Sequence, residues 1–299
     1  MKKFLCMILA VLTAACAMGM AACGGNGSNG KVKMINISLS SEEYAVAVSK
    51  TNKSLLATVN EVLSENADEI AELIEEYEAK DYENDTPTDE TYVEGVVKYE
   101  EGMSADSYLI MATDAPFAPW EYMVGENYGG IDVEIGNMIA QKLGKTLAVK
   151  QTAFDSICLT VNQGGADIGL AGLTVTPARA KTVNFSDAYY TGAYQVIVVN
   201  ENDTTFDGCK TAEDVEAILK GMENGTKVGS QTGTTGAKYI SGDVDDPDGF
   251  GFEGFKNLTL QNYETHADAV RDMVNGTVAF CVVDNLVAAQ IVAQINAAA

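Results

Sequence analysis

The sequence predicts an α/β protein with two lobes, each a mostly parallel sheet flanked by helices. From residue 107 onward, short apolar runs typical of strands alternate with segments whose apolar residues recur at helical spacing. Such alternation is typical of parallel sheets that are covered by helices on both faces. It is interrupted after an apolar run at 195–200 and then restarts. The chain is therefore expected to enter a second lobe near residue 200.

Composition limits the possible classes of function. The chain has 299 residues, with 43 acidic side chains against 19 basic ones and a formal net charge of −24. This acidity argues against a nucleic-acid partner, because phosphate binding requires clustered lysine and arginine. The sequence contains a single histidine, His266, so a multi-histidine metal site is excluded and a Ser-His-Asp hydrolase would have to use this residue. We expect no metal and no cofactor, and we expect His266 to lie on the surface.

The first residues carry the features of an export signal. Two lysines precede an apolar stretch that ends in small residues directly before Cys23, and a tether rich in glycine, serine and asparagine follows over 23–31. This pattern predicts a cleaved signal peptide over 1–22, and it resembles the lipobox of bacterial lipoproteins. The resemblance implies a lipid on Cys23 that holds the protein on the outer face of the cell membrane. Cys16 is the alternative lipid site, and a simple membrane anchor is the alternative interpretation of the segment.

Two strands and two helices are predicted next, followed by an acidic segment. Residues 32–37 alternate loosely between apolar and polar, and 44–48 form an apolar run of strand length. Two helices are expected because apolar residues recur on one face of each; these residues are Leu55, Leu56, Val59, Val62 and Leu63 in the first helix and Ile70, Leu73, Ile74 and Tyr77 in the second. Residues 81–105 are polar and rich in acids, so we expect a long connecting loop there.

From residue 107 the same criteria predict the remaining elements. Strands are expected at 108–112, 147–150 and 166–170, and helices at 130–143 and 156–162. After the predicted crossing, helices are expected at 212–222, from 234, at 267–275 and at 285–296, and strands at 227–230 and 277–283.

One segment has the features of an anion site. A predicted strand ends at Leu170, and Thr176 followed by Pro177 is a typical signal for the start of a helix. Arg179 then lies within one turn of that start, near free backbone N–H groups and the positive end of the helix dipole. Together these groups suit a carboxylate. A salt bridge at the surface is the alternative role for Arg179.

The same segment carries two recognisable motifs. Residues 174–179 read Thr-Val-Thr-Pro-Ala-Arg, and 183–190 read Val-Asn-Phe-Ser-Asp-Ala-Tyr-Tyr. Both motifs resemble those of the family 3 solute-binding proteins of polar amino-acid ABC transporters. The resemblance continues in the family's order and covers most of 107–290, through segments at 113–122, 129–134, 139–144, 227–235 and 282–285. It implies a clamp of the type II periplasmic-binding-protein kind that closes over one amino acid.

The resemblance also implies a set of binding residues. Arg179 is expected to bind the ligand's α-carboxylate, and Asp284 its α-ammonium group. A zwitterion that leaves water needs both charges met, and each charged hydrogen bond contributes about 1.5–3 kcal/mol. Asp284 as a helix cap, and Phe117 and Trp120 as plain core residues, are the alternatives. The remaining implied contacts are Thr174 and either Thr234 or Thr235 at the carboxylate, the Gly172 carbonyl at the ammonium, Phe117, Phe154 and Trp120 around the side chain, and Asp114 at its polar end.

The order of the segments departs from the family. The strand and helices that usually follow the second lobe are missing after residue 296, and a similar segment stands at 40–60 instead. We therefore expect a circular permutation, which is tolerable because chain ends commonly lie at the surface and close together. Lobe 1 would comprise 44–80 and 106–198, and lobe 2 would comprise 32–43 and 199–299. An independent appendage over 32–104 on a truncated clamp is the alternative.

The function that the resemblance implies is reception of a free amino acid. We expect an exported, lipid-anchored, monomeric receptor that delivers its ligand to an ABC permease in the membrane, closes by hinge motion and performs no covalent chemistry. Fold alone does not fix function. An enzyme similar to cyclohexadienyl dehydratase, or a ligand-binding sensor module, therefore remains an alternative.

Overall fold

A computed structural model describes residues 30–79, 91–246 and 249–299. The predicted signal peptide, Cys16, Cys23 and all but the end of the tether lie outside these residues, so their assignments stay predictions. Residues 80–90 of the acidic segment lie outside them as well. In the part of the chain that the structure describes, no helix combines the length and the apolar character needed to span a membrane.

Strands and helices alternate along the described chain, as predicted. The strands are β1 (Val32–Ile35), β2 (Glu42–Ser49), β3 (Val97–Lys98), β4 (Tyr108–Thr113), β5 (Tyr122–Val124), β6 (Asn127–Gly129), β7 (Thr146–Gln151), β8 (Ile168–Gly169), β9 (Val183–Ala193), β10 (Gln195–Asn200), β11 (Thr226–Gln231), β12 (Leu258–Tyr263) and β13 (Phe280–Asp284). The helices are α1 (Lys53–Glu65), α2 (Ala67–Glu78), α3 (Ile131–Lys142), α4 (Ile157–Asn162), α5 (Pro177–Thr182), α6 (Ala212–Gly221), α7 (Thr235–Ser241), α8 (His266–Val274) and α9 (Asn285–Ala298).

One sheet, here called the large sheet, has the strand order β3-β7-β4-β8-β2-β9. Strands β3, β7, β4 and β8 pair in parallel, because helices α3 and α4 carry the chain back between successive strands. Strand β2 pairs antiparallel with β8 and β9. The predicted strand at 44–48 therefore lies inside this sheet, where residues 44–48 are all 0% exposed.

The second sheet, here called the small sheet, has the order β1-β10-β13-β11-β12. Strands β12, β11 and β13 pair in parallel, and β10 pairs antiparallel with β13 and β1. The crossing between sheets lies at Tyr194, directly between β9 and β10. The predicted end of lobe 1 at 198 is therefore wrong. Residues 195–198 belong to the small sheet, because Gln195 and the apolar side chains of Val196, Ile197 and Val198 are buried on its two faces.

The acidic segment contains more structure than predicted. Strand β3 lies within 81–105 and pairs with β7 at the edge of the large sheet. Val93 is 7% exposed, and its N–H donates to the Tyr128 carbonyl at 2.9 Å. The segment is acidic in composition, but its few apolar residues, such as Val93, pack its second half against lobe 1. The prediction of a plain loop over 91–105 is therefore wrong.

Besides β3 and the short strands β5 and β6, the longer strands β9 and β12 were not predicted, for different physical reasons. β9 is 11 residues long, but bulges in its pairing with β2 break the two-residue alternation of buried and exposed side chains. β12 lies at the edge of the small sheet and is largely polar on its outer face. The periodicity from which strands are predicted is therefore absent in β9, and in β12 it extends only over the four residues 258–261.

The two ends of the described chain lie together on the small sheet. Asn296 in α9 accepts a hydrogen bond from the Val32 N–H at 2.8 Å and donates one to the Val32 carbonyl at 2.9 Å. A Cβ atom placed on Gly30 would lie 3.7 Å from Cβ of Ala299. Residues 30 and 299 are therefore neighbours in space.

Candidate functional site

A cleft of about 210 Å³ opens between the two sheets. Of the residues predicted for the site, Phe154 and Arg179 line it from the large-sheet side, and Thr234 and Thr235 line it from the small-sheet side. The other predicted residues do not line this cleft: Asp114 is half-buried, and the rest are buried. The structure thus brings together residues that lie far apart in the sequence.

Arg179 is held at the cleft wall by its own helix start. The Thr176 hydroxyl caps α5 by accepting a hydrogen bond from the Arg179 N–H at 3.0 Å. The guanidinium lies over the Phe154 ring, 4.9 Å from its centroid. It donates to the Thr174 carbonyl at 2.8 Å and, across the cleft, to the Gly233 carbonyl at 3.1 Å. A guanidinium has five N–H donors, so donors remain for an anion in the cleft.

Asp284 is a buried carboxylate at the end of β13, and it is 5% exposed. Its Oδ1 accepts hydrogen bonds from the Tyr44 hydroxyl at 2.6 Å and from Nε2 of Gln195 at 2.9 Å. Burial is the main cause that raises the pKa of Asp284. Asp284 directly precedes α9, but its side chain makes no capping hydrogen bond. The helix-cap alternative is therefore wrong.

Three threonines lie near Arg179, and two of them meet across the lobes. The Thr235 hydroxyl lies 3.4 Å from that of Thr174, on the opposite side of the cleft. Thr234 uses its hydroxyl to cap α7, accepting from the Ala237 N–H at 3.2 Å and donating to the Gln231 carbonyl at 2.8 Å. Of the two threonines that the sequence left open, Thr235 is the one whose hydroxyl is not committed to a cap.

Asp114 also joins the two lobes. It follows β4, and its carboxylate accepts from the Phe154 N–H at 3.0 Å, from Gln231 Nε2 at 2.8 Å and from Gln151 Nε2 at 3.3 Å. Gln231 belongs to the small sheet, so this contact crosses the cleft. Burial raises the pKa of Asp114 to about 6. The group therefore carries a negative charge at neutral pH and loses it in mild acid.

Phe117 and Trp120, the two aromatic residues that were predicted for the site from segment 113–122, have different surroundings. The Phe117 ring lies 5.8 Å from the His266 ring, between the lobes. Trp120 is 1% exposed and packs against Tyr44 and Tyr190 at ring-centroid distances of 5.0 and 4.9 Å. Trp120 therefore lies behind Tyr44 in the core, and it supports the hydroxyl that binds Asp284.

His266 is not on the surface, contrary to the prediction. It is 2% exposed, and its Nε2 lies 3.6 Å from Oδ2 of Asp284. Burial lowers its pKa to about 3, so the ring is neutral at physiological pH. The spacing of the buried residues His266, Ala269, Val270 and Met273 in α8 was the sequence signal for its burial.

Gly172 is fixed by a buried acid that the sequence reasoning missed. Asp132 in α3 is 0% exposed, and it accepts from the Gly172 N–H and from the Tyr189 hydroxyl, each at 2.7 Å. A side chain at Gly172 would meet the Phe117 ring at 2.7 Å, and the backbone φ of +53° also favours glycine. Burial is the main cause that raises the pKa of Asp132 to about 7.

Two sheets joined by crossing strands, with a guanidinium on one side of the cleft and a buried carboxylate on the other, define a two-lobed binding protein of the α/β class. The family model described as "Bacterial extracellular solute-binding proteins, family 3" matches residues 109–288. The chain belongs to this family, and the resemblance inferred from its motifs is confirmed.

Relatives and solved structures agree with this assignment. The "Arginine-binding extracellular protein ArtP" of Bacillus subtilis is 36% identical over 127 residues, which are 42% of this chain and 46% of the relative. Holo ArgBP from T. maritima is 30% identical with a TM-score of 0.51, over 63% of this chain and 74% of that one. An ancestral amino acid-binding protein, described as a precursor of cyclohexadienyl dehydratase, is also 30% identical with a TM-score of 0.51, over 61% and 73%. The chain spans about half the length of ArtP.

The buried Asp132 makes the free energy of unfolding depend on pH. Its pKa rises from 3.8 to about 7 on folding, so the folded state keeps a proton that the unfolded state releases. This contribution to stability is present below about pH 4 and is lost as the pH rises to about 7. Asp132→Asn should therefore flatten the fall in stability between these values by about 1.4 kcal/mol per pH unit.

Denaturant unfolding at several pH values between 4.5 and 7.5 measures this slope. Asp187→Asn makes the same chemical change at an exposed position and should leave the slope as in the wild type. An unchanged slope in Asp132→Asn would show that Asp132 titrates in the folded state as it does in the unfolded state.

Proposed function

We propose that this chain is the extracytoplasmic substrate-binding component of an amino-acid ABC transporter. The observation that carries the proposal is that one network of hydrogen bonds joins Arg179, on the large-sheet side, to Asp284, on the small-sheet side. It runs through Thr174, Glu42 and Gln195. A free amino acid carries both a carboxylate and an ammonium group. Such a ligand can therefore bind both charged residues at once, with its carboxylate on Arg179 and its ammonium group on Asp284.

Contacts across the cleft support hinge closure as the mechanism. Arg179 reaches Gly233, Asp114 reaches Gln231, and Thr174 approaches Thr235. Each pair joins a residue of the large-sheet lobe to one of the small-sheet lobe. A ligand that binds both lobes favours the closed state by its difference in affinity for the closed and open forms.

We propose a cationic amino acid, with L-arginine as the first candidate. Asp114 is a carboxylate near Phe154 at one end of the site, and it suits a cationic side chain after Arg179 and Asp284 have bound the backbone charges. The name of ArtP and that of holo ArgBP point to the same ligand class. The strong negative net charge of the chain also attracts cations at long range.

An enzyme on the same fold is the alternative function. The structural neighbour described as a precursor of cyclohexadienyl dehydratase favours it. The charged pair that suits a zwitterion and the binding-protein names among the relatives favour a receptor. Formation of product from prephenate or arogenate by the purified protein would favour the enzyme over the receptor.

Export, anchoring and assembly belong to the same proposal. The chain would carry a lipid on Cys23, work as a monomer on the outer face of the membrane and deliver its ligand to a membrane permease. The family description as extracellular supports the location. The anchor rests on the sequence pattern at 1–31 alone, and sensing in place of transport is the alternative role for the same site.

We further propose that the chain is circularly permuted relative to other family members. Two structural features support this proposal. Strand β2, which resembles the family's C-terminal segment, lies inside the large sheet between β8 and β9. Gly30 and Ala299, which the permutation would have separated, are neighbours.

Arg179 is expected to be essential for binding. In the wild type, millimolar L-arginine should raise the melting temperature, because a ligand that binds only the folded state stabilises it. Arg179→Ala and Asp284→Asn should abolish this rise in a thermal-shift assay. Arg271→Ala removes the only other arginine, which is exposed, and should keep the full rise. A full rise in Arg179→Ala would remove that residue from the site.

Asp114 is expected to set selectivity for the side chain. Asp114→Asn should weaken binding of L-arginine about tenfold and leave binding of L-glutamine nearly unchanged, because a charged hydrogen bond is lost only with the cation. In the wild type, arginine affinity should fall as the pH drops through about 6, since Asp114 is then protonated. Isothermal titration calorimetry at pH 5 and 7.5 measures both effects, with Asp106→Asn as the exposed control. Equal losses for both ligands would contradict this role.

The permutation is testable by reversing it. A rearranged chain would begin within 81–90, join residue 299 to residue 30 through a short linker, and end before the new start. It should unfold cooperatively and show the same arginine-induced rise in melting temperature as the original chain. A rearranged chain without cooperative unfolding would contradict the proposal.

A further inference from the structure

The ammonium end of the site contains a second buried carboxylate. Glu42 is the first residue of β2 and is 2% exposed. Its Oε2 accepts a hydrogen bond from the Thr174 hydroxyl at 2.7 Å. Its Oε1 accepts from the Ser40 hydroxyl at 2.6 Å and from Nε2 of Gln195 at 3.0 Å. Both oxygens of Glu42 therefore bind groups that surround the cleft.

Glu42 determines which way the Thr174 hydroxyl points. A hydroxyl has one proton and two lone pairs, and the short contact commits the proton of Thr174 to Glu42. Only lone pairs then remain on the Thr174 oxygen for other partners. Thr174 can accept a hydrogen bond from a ligand's ammonium group, but it cannot donate to a competing acceptor.

Glu42 also determines the orientation of the Gln195 amide. The same nitrogen of Gln195 donates to Glu42 at 3.0 Å and to Asp284 at 2.9 Å. Because both partners are carboxylates, the NH2 group must face them and the amide oxygen must face away. Glu42 lies in the large sheet and Asp284 in the small sheet, so this amide joins the two acids across the crossing strands.

The two acids lie close enough to compete for one proton. The charge of Asp284 adds to the effect of burial in raising the pKa of Glu42, and burial raises the pKa of Asp284. The charged and titratable groups around the pair are the Arg179 guanidinium from α5, the Tyr44 hydroxyl from β2 and the neutral His266 ring from α8. One guanidinium, that of Arg179, therefore interacts electrostatically with two buried carboxylates.

We infer that Glu42 is a positioning residue for the ligand's ammonium group, and that it shares with Asp284 a proton that leaves when this ammonium binds. The inference rests on the proposed function. The ligand keeps its three ammonium protons, and the proton of the acid pair passes to the solvent buffer. Selectivity follows from the same arrangement, because the Thr174 hydroxyl that Glu42 orients presents an acceptor to the ammonium, beside the Asp284 carboxylate.

Calorimetry in several buffers tests both parts of the inference. L-Arginine is titrated at pH 6.5 in buffers with different enthalpies of ionisation, and the buffer dependence of the heat gives the number of protons released. The wild type should release a measurable fraction of a proton, part of it from Asp114, whose pKa is about 6, so the share of the acid pair is the difference between the wild type and Glu42→Gln. Glu42→Gln should bind about tenfold more weakly or worse, because its NH2 group opposes the donors of Thr174 and Gln195, and it should release fewer protons.

Glu43→Gln is the matched control, because Glu43 is the exposed neighbour of Glu42 and should retain wild-type affinity and proton release. Wild-type affinity in Glu42→Gln would overturn the positioning role, and buffer-independent heat in the wild type would overturn the shared proton. If Glu42→Gln does not fold, the buffer series is run on Asp114→Asn, which removes the protons of Asp114, and buffer-independent heat in that variant would overturn the shared proton. Absence of heat for every amino acid in the wild type would instead overturn the proposed function, and this inference with it.

Discussion

The buried carboxylate of Asp284 is the group on which the organisation of the site depends. Transfer of a charged group out of water is unfavourable unless partners replace the lost hydration. The fold supplies two donors to the same oxygen, the Tyr44 hydroxyl from the large sheet and the Gln195 amide from the small sheet. Neither donor carries a positive charge. In the proposed function an ammonium group supplies that charge, and its binding favours the closed arrangement because the partners of Asp284 come from both lobes.

The crossing strands explain why the acidic groups lie at the hinge. Glu42 and Gln195 are the first residues of β2 and β10, so each stands where the chain enters a sheet. Leu39, on the incoming chain, donates its N–H to the Gln195 carbonyl at 3.0 Å. The groups that are proposed to surround the ligand therefore lie on the crossing strands, about which the two lobes would move. Trp120 adds rigidity from behind, because its ring packs on Tyr44.

The sequence predicted the parts of the fold and site that depend on local signals. The Thr176 cap and Pro177 predicted the start of α5 and thereby the position of Arg179, and apolar periodicity predicted α1, α3 and α9. Glu42 and Glu43 are adjacent and chemically identical, but only Glu42 is buried, where it binds Thr174 and Gln195, 132 and 153 residues away. Local sequence therefore did not identify Glu42. The bulges of β9 hid that strand in the same way, since they arise from pairing with β2.

A crystal structure of the protein with L-arginine at neutral pH tests the central claim most directly. The account predicts the ligand's carboxylate within hydrogen-bond distance of the Arg179 guanidinium and its α-ammonium within hydrogen-bond distance of the Asp284 carboxylate and the Thr174 oxygen. Arginine bound with its α-ammonium away from Asp284, or with its carboxylate away from Arg179, would contradict the account.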